Sequence, residues 1–150
     1  MAGKLEALAV AVLIVFLGIT VAGSAEQPDP FERACYWTEM VTDVNCDGVD
    51  APQVFEMPGR FIDRFLGRGT RGFFIPGDTT VYVRKELSAA ERYAVQVHEM
   101  THYILDVKAR ATYRRCASEE AARRVTDLEL GRAYTSDWKS WYKCDPRKHI

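Results

Sequence analysis

Apolar and polar positions alternate in recognisable ways over most of the chain. In "GFFIPGDTTVYVR" two β-rich runs, Phe73 to Ile75 and Thr79 to Arg84, flank a turn at Gly77-Asp78. The second run sets Thr79, Val81 and Val83 against Thr80, Tyr82 and Arg84, a period of two that predicts the half-buried strand of a hairpin. "PQVFEMP", Pro52 to Pro58, predicts a brief strand between prolines, and Phe31 to Met40 a short helix. From Ala89 the period changes. Ser88 and Glu91 form S-x-x-E, the signature of a reciprocal helix cap, and Ala94, Val97, Thr101 and Ile104 recur at helical spacing, which predicts a helix to about Val107. A second helix is expected from Cys116 to Leu130, stopped by Gly131, with Ala121, Val125 and Leu128 on its apolar face. Trp138, Trp141 and Tyr142 suggest a tail packing back over the domain. Strands followed by helices in one short chain imply a small α+β domain, a β-hairpin or short sheet packed on a long helix.

Composition supports one globular domain: 150 residues, 47% of them hydrophobic, with a formal net charge of -1. Basic and aromatic residues form no stripe, so no nucleic-acid partner is expected. The N-terminus reads differently. Lys4 precedes an apolar run from Ala7 to Val21, and Ala22-Gly23-Ser24-Ala25 offers a cleavage site. Residues 1–25 are therefore expected to be a signal peptide, or an uncleaved anchor through which alone the chain would meet a membrane. Residues 26–150, which begin with the linker Gln27-Pro28-Asp29-Pro30, form the expected domain, secreted, periplasmic or otherwise outside the cytoplasm. The cysteines agree with that placement. Cys35, Cys46, Cys116 and Cys144 admit three pairings, of which the local one, Cys35 with Cys46 and Cys116 with Cys144, is favoured. No C-x-x-C pair suggests a cysteine metal site.

The long helix carries the candidate chemistry. Two of the chain's three histidines stand in "VHEMTHYIL". On a helix His98 and His102 lie about 40° apart around the axis, one turn above the other, so both imidazoles can reach one metal ion. Glu99 sits at the edge of that face. This H-E-x-x-H arrangement points to zinc-assisted hydrolysis with the glutamate as base. Two weaker motifs are read as structural. "DVNCDG", Asp43 to Gly48, opens like a calcium loop but has Val54 where the final glutamate belongs, with Pro52 interrupting. Arg114, Arg115, Arg123 and Arg124 read as a solvated helix face partnering Glu119, Glu120 and Asp127.

From Gly72 to about Leu130, hairpin, "VHEMTHYI" helix and "SEEAAR" helix, the chain resembles the zincin metallopeptidases, and among them the gluzincins. The longer metzincin motif does not fit, because Leu105 and Lys108 stand where its glycine and third histidine belong. The resemblance implies a third zinc ligand on the following helix, Glu119 or Glu120. Glu119 is favoured, because its stripe continues through Ala122, Arg123 and Thr126 and matches E-x-x-A, whereas that of Glu120 is wholly charged. The resemblance also implies that an extended peptide pairs with the hairpin's edge strand, a role placed near Thr79 to Arg84. The oxyanion donor stays open among Tyr134, Tyr142 and His149. The chain lacks room for a large second domain, which suggests a minimal form. The expected function is a zinc metallopeptidase acting on a peptide or protein substrate, with Glu99 catalytic and His98, His102 and Glu119 holding Zn2+. The alternatives are a non-catalytic zincin-like module that binds zinc or a protein, and a disulfide-stapled domain whose histidines are core residues.

Overall fold

A computed structural model describes residues 26–133. The predicted signal segment and the aromatic tail, with Tyr134, Tyr142, Cys144 and His149, lie outside the described residues. The elements run α1 (Pro30–Thr42), β1 (Gln53–Met57), α2 (Gly59–Leu66), β2 (Gly72–Phe74), β3 (Thr80–Arg84), α3 (Ala89–Ala109) and α4 (Cys116–Glu129). The domain is α+β, as expected. Its strands form one sheet in the order β1-β3-β2, with β1 parallel and β2 antiparallel to β3.

Local chemistry explains most of the boundaries. At α1 the Asp29 side chain accepts hydrogen bonds from the amides of Phe31 and Glu32 at 2.8 and 3.0 Å, with Pro30 in the first turn. At α3 the Ser88 hydroxyl accepts from the Glu91 amide at 3.3 Å while Glu91 takes the Ser88 amide at 3.1 Å, closing the predicted capping box. Between β2 and β3 the Asp78 amide bonds the Ile75 carbonyl at 3.0 Å, and Gly77 has φ 87. Pro76 followed by a glycine at positive φ makes this a type II turn.

Helix α3 is the hub. Val81 and Val83, fully buried on one face of β3, lie on its sheet side, and its core residues Val97, Met100 and Ile104 join Ala34 of α1 and Val125 of α4 in one cluster. Each fully buried aliphatic side chain contributes about 1.5–3 kcal/mol relative to exposure. A polar knot fastens the three helices together. Glu129 on α4 accepts hydrogen bonds from Tyr93 Oη at 2.6 Å, Trp37 Nε1 at 2.7 Å and Arg33 Nε at 2.8 Å. Burial works against ionisation of its carboxyl, but these three donors outweigh it and hold the group below its ordinary value.

Cys35 and Cys46 are bridged, joining α1 to the loop that follows it. Lys108 and Tyr103 pin that loop to α3 by hydrogen bonds to the carbonyls of Asp47 at 2.8 Å and Asp50 at 3.0 Å. Cys116 is also disulfide-bonded. Three features differ from expectation, one in the sheet and two in the helices. The run Thr80–Arg84 is the central strand, paired on both sides, so the free edges belong to β1 and β2. Helix α2 was not foreseen. It spans eight residues, too few for a periodic signal, although Pro58 before it and Gly67 after it are recognisable boundaries. On α4 Leu128 is 45% exposed and Ala122 is buried instead, a rotation of the packed face toward α3.

Candidate metal centre

The helical spacing of α3 places His98 and His102 one turn apart with their rings in edge contact, centroids 4.9 Å apart. Helix α4 crosses close by, because Ala121, Ala122 and Val125 present little bulk on the buried face. That approach brings Glu119, 5% exposed, over the imidazoles. Its Oε2 lies 3.2 Å from His102 Nε2 and its Oε1 3.6 Å from His98 Nε2, and the two Nε2 atoms are 3.3 Å apart. One ligand atom from each residue falls within 4.8 Å of the others, the single group of this kind among the described residues. Glu120 is not a member.

Two hydroxyls on α4 orient the rings. The hydroxyl of Thr126 lies 3.3 Å from His98 Nδ1 and donates its own proton to the Ala122 carbonyl at 2.7 Å. With that proton spent, it can only accept from His98, so His98 carries its proton on Nδ1 and turns the Nε2 lone pair toward Glu119. Ser118 Oγ stands 2.7 Å from His102 Nδ1 and anchors that ring. Arg123 Nε donates to Glu119 Oε1 at 2.6 Å, the arginine partnership expected from the sequence. Ser118 and Thr126 were not singled out as site residues from the sequence. The available signal was position: Thr126 lies two turns beyond Glu119 on the same stripe, and Ser118 immediately precedes it.

The electrostatics suit a cation. Burial disfavours charge on His98, but contact with Glu119 and the charges of Glu99 and Glu119 outweigh it and raise its affinity for a proton. Burial likewise opposes ionisation of Glu119, yet His102 and His98 hold its carboxyl far below the usual range. The cluster therefore attracts positive charge to the point where the three side chains meet.

Glu99 is 8% exposed and makes no hydrogen bond to a described residue. Burial pushes its carboxyl upward, against the pull of His98 and His102. Its chain passes β2, where a Cβ built on Gly72 would stand 2.4 Å from Val95 Cγ1, 2.8 Å from the Tyr82 carbonyl and 3.4 Å from Glu99 Cγ. Only glycine lets the strand approach the helix so closely. The edge next to Glu99 is thus β2, in place of the Thr79 to Arg84 run.

No family profile, curated protein or solved structure matches the chain. Among the described residues no helix is long and apolar enough to cross a membrane. The Cys35–Cys46 bridge favours an oxidising compartment, outside the cytoplasm.

Proposed function

We propose that the chain is a zinc-dependent peptide hydrolase working outside the cytoplasm, a relative of the gluzincins. The observation that carries this reading is the convergence of His98 Nε2, His102 Nε2 and Glu119 beside a buried glutamate that no other group occupies. Two imidazole nitrogens and one carboxylate suit zinc's preference for N and O donors, and a three-residue set leaves a coordination position open. Bound zinc would supply Lewis acidity, bringing the pKa of a water it holds down to about 7 and polarising the scissile carbonyl.

The residues' own parts follow from their positions. Ser118 and Thr126 keep both imidazoles turned toward Glu119. Glu99, buried and one residue from a ligand, takes the proton of the attacking water on its carboxylate and delivers it to the leaving amine nitrogen. The new C–O bond replaces the C–N bond, and the amine leaves protonated. An extended substrate is placed along β2. The Arg84 amide bonds the Arg71 carbonyl at 2.8 Å, so alternation along the ladder directs the N–H and C=O groups of Gly72 and Phe74 away from β3.

The test joins metal analysis of the purified protein to digestion of a peptide library. One zinc per chain is expected, with cleavage abolished in Glu99→Gln while zinc and fold are kept, because the amide cannot accept the proton. Zinc without cleavage in the native protein would favour the non-catalytic module. Full activity in Glu99→Gln would remove Glu99 as the base.

A further inference from the structure

Helix α2 buries Gly59 and Ile62 and turns most of its remaining surface outward. At about 100° per residue, Arg60 and Arg64 form one exposed stripe and Phe61 and Phe65 the adjoining one. Phe65 is 76% exposed, Leu66 50% and Phe61 43%, three large apolar side chains turned to solvent within six residues. Exposed Arg68 follows in the loop toward β2. The guanidinium of Arg60 lies 5.0 Å from the Phe61 ring centroid and that of Arg64 5.9 Å from Phe65, so cation and aromatic ring are presented together.

Charge identifies what this surface meets. Among the described residues Arg60, Arg64 and Arg68 form no ion pair, and the segment's one acid, Asp63, is engaged by Arg84. Three unneutralised cations therefore surround three projecting apolar side chains. These side chains lie together on one short helix and the loop that follows it. Arginines level with phosphates and phenyl rings at the boundary of the acyl chains are what an anionic bilayer surface accommodates. We propose that α2 and the loop to Arg68 form an interfacial docking element for anionic membranes, with phospholipid headgroup phosphates as its ligands. This contact is additional to any made through the apolar run at residues 7–21. It is also independent of the metal centre: α2 is tied to Arg84, on the sheet face opposite Val81 and Val83, which face α3.

The experiment mixes the full chain with vesicles of phosphatidylcholine alone or of phosphatidylcholine with phosphatidylglycerol. Partition and hydrogen–deuterium exchange over residues 59–71 are both measured. The exchange readout is local, so it stays informative even where the apolar run carries the chain to every bilayer. Exchange over this segment should slow on the anionic vesicles only, and added salt should reverse it. Each arginine is worth about fivefold in partition, so R60Q/R64Q/R68Q should lose about a hundredfold of the preference for anionic vesicles. Its thermal midpoint should stay close to the native one, since none of the three forms an ion pair among the described residues and the arginine–phenylalanine contacts of Arg60 and Arg64 are exposed. F61S/F65S should weaken binding to anionic vesicles while leaving the salt dependence in place. Equal exchange over 59–71 on the two vesicle types would overturn the proposal. So would retention on immobilised polyglutamate without segment protection on anionic vesicles, which would assign the surface to an acidic protein.

Discussion

Thr126→Val tests whether the hydroxyls of α4 hold the histidines in register. Valine keeps the shape and volume of threonine and removes one oxygen. In the native chain that oxygen is the acceptor for His98 Nδ1 at 3.3 Å, in a side chain only 19% exposed. The Ala122 carbonyl loses the threonine proton but remains in its helix, so the principal loss falls on the imidazole. A half-buried N–H left without a partner costs about 1–3 kcal/mol, or about 5- to 150-fold in the affinity of a metal that requires that tautomer. The range brackets the 10- to 100-fold typical of residues that support metal ligands. Ser118→Ala should cost as much or more, because the Ser118 bond to His102 is shorter at 2.7 Å. Competition against a chromogenic chelator measures the zinc affinity, and a thermal melt of the metal-free protein controls for folding. The melt should move little, since Thr126 also spends its bond within one helix turn. Zinc affinity in Thr126→Val within twofold of native, with the metal-free melt unchanged, would refute the role of Thr126 in orienting His98.

Two further outcomes are expected. Glu119→Gln should reduce zinc affinity sharply and Glu120→Gln should leave it nearly unchanged, as read by the same chelator competition; the reverse would move the ligand by one residue. Glu129→Ala should destabilise the fold by about 3–4 kcal/mol in urea unfolding, since it strands the Tyr93 and Trp37 donors and the charge of Arg33, the last partly rehydrated because its side chain is 34% exposed. Because the Glu129 carboxyl is held below its ordinary value of 4.5, its contribution is complete above that pH and is lost as pH falls through the folded-state value. The gap between native and Glu129→Ala should therefore narrow below about pH 4.5, and a gap that widens there would contradict the assignment.

What the sequence determined by itself is the set of features that neighbours along the chain decide. The start of α3 follows from Ser88 and Glu91, three residues apart, and the shared face of His98 and His102 from one turn of helix. The hairpin follows from the turn, placed at Gly77-Asp78 by the sequence and centred on Pro76-Gly77 in the structure, and from the alternation around Val81 and Val83, while the Cys35–Cys46 bridge is the short-loop pairing favoured among three. Each depends on contacts of one to a dozen residues, which periodicity and turn chemistry record. The tertiary structure decided the rest. Whether β3 is an edge or a centre depends on β1 arriving from across α2 to pair in parallel, and nothing in either strand specifies its partner. The eight residues of α2 are helical because Ile62 is buried and Arg84 holds Asp63, a contact made across the fold. The stripe through Ala122 and Thr126 favoured Glu119 over Glu120, but two adjacent glutamates differ only in direction. Direction is set when Ala121, Ala122 and Val125 pack on α3 and fix the rotation of α4, the same rotation that carries Ser118 and Thr126 onto the two imidazoles.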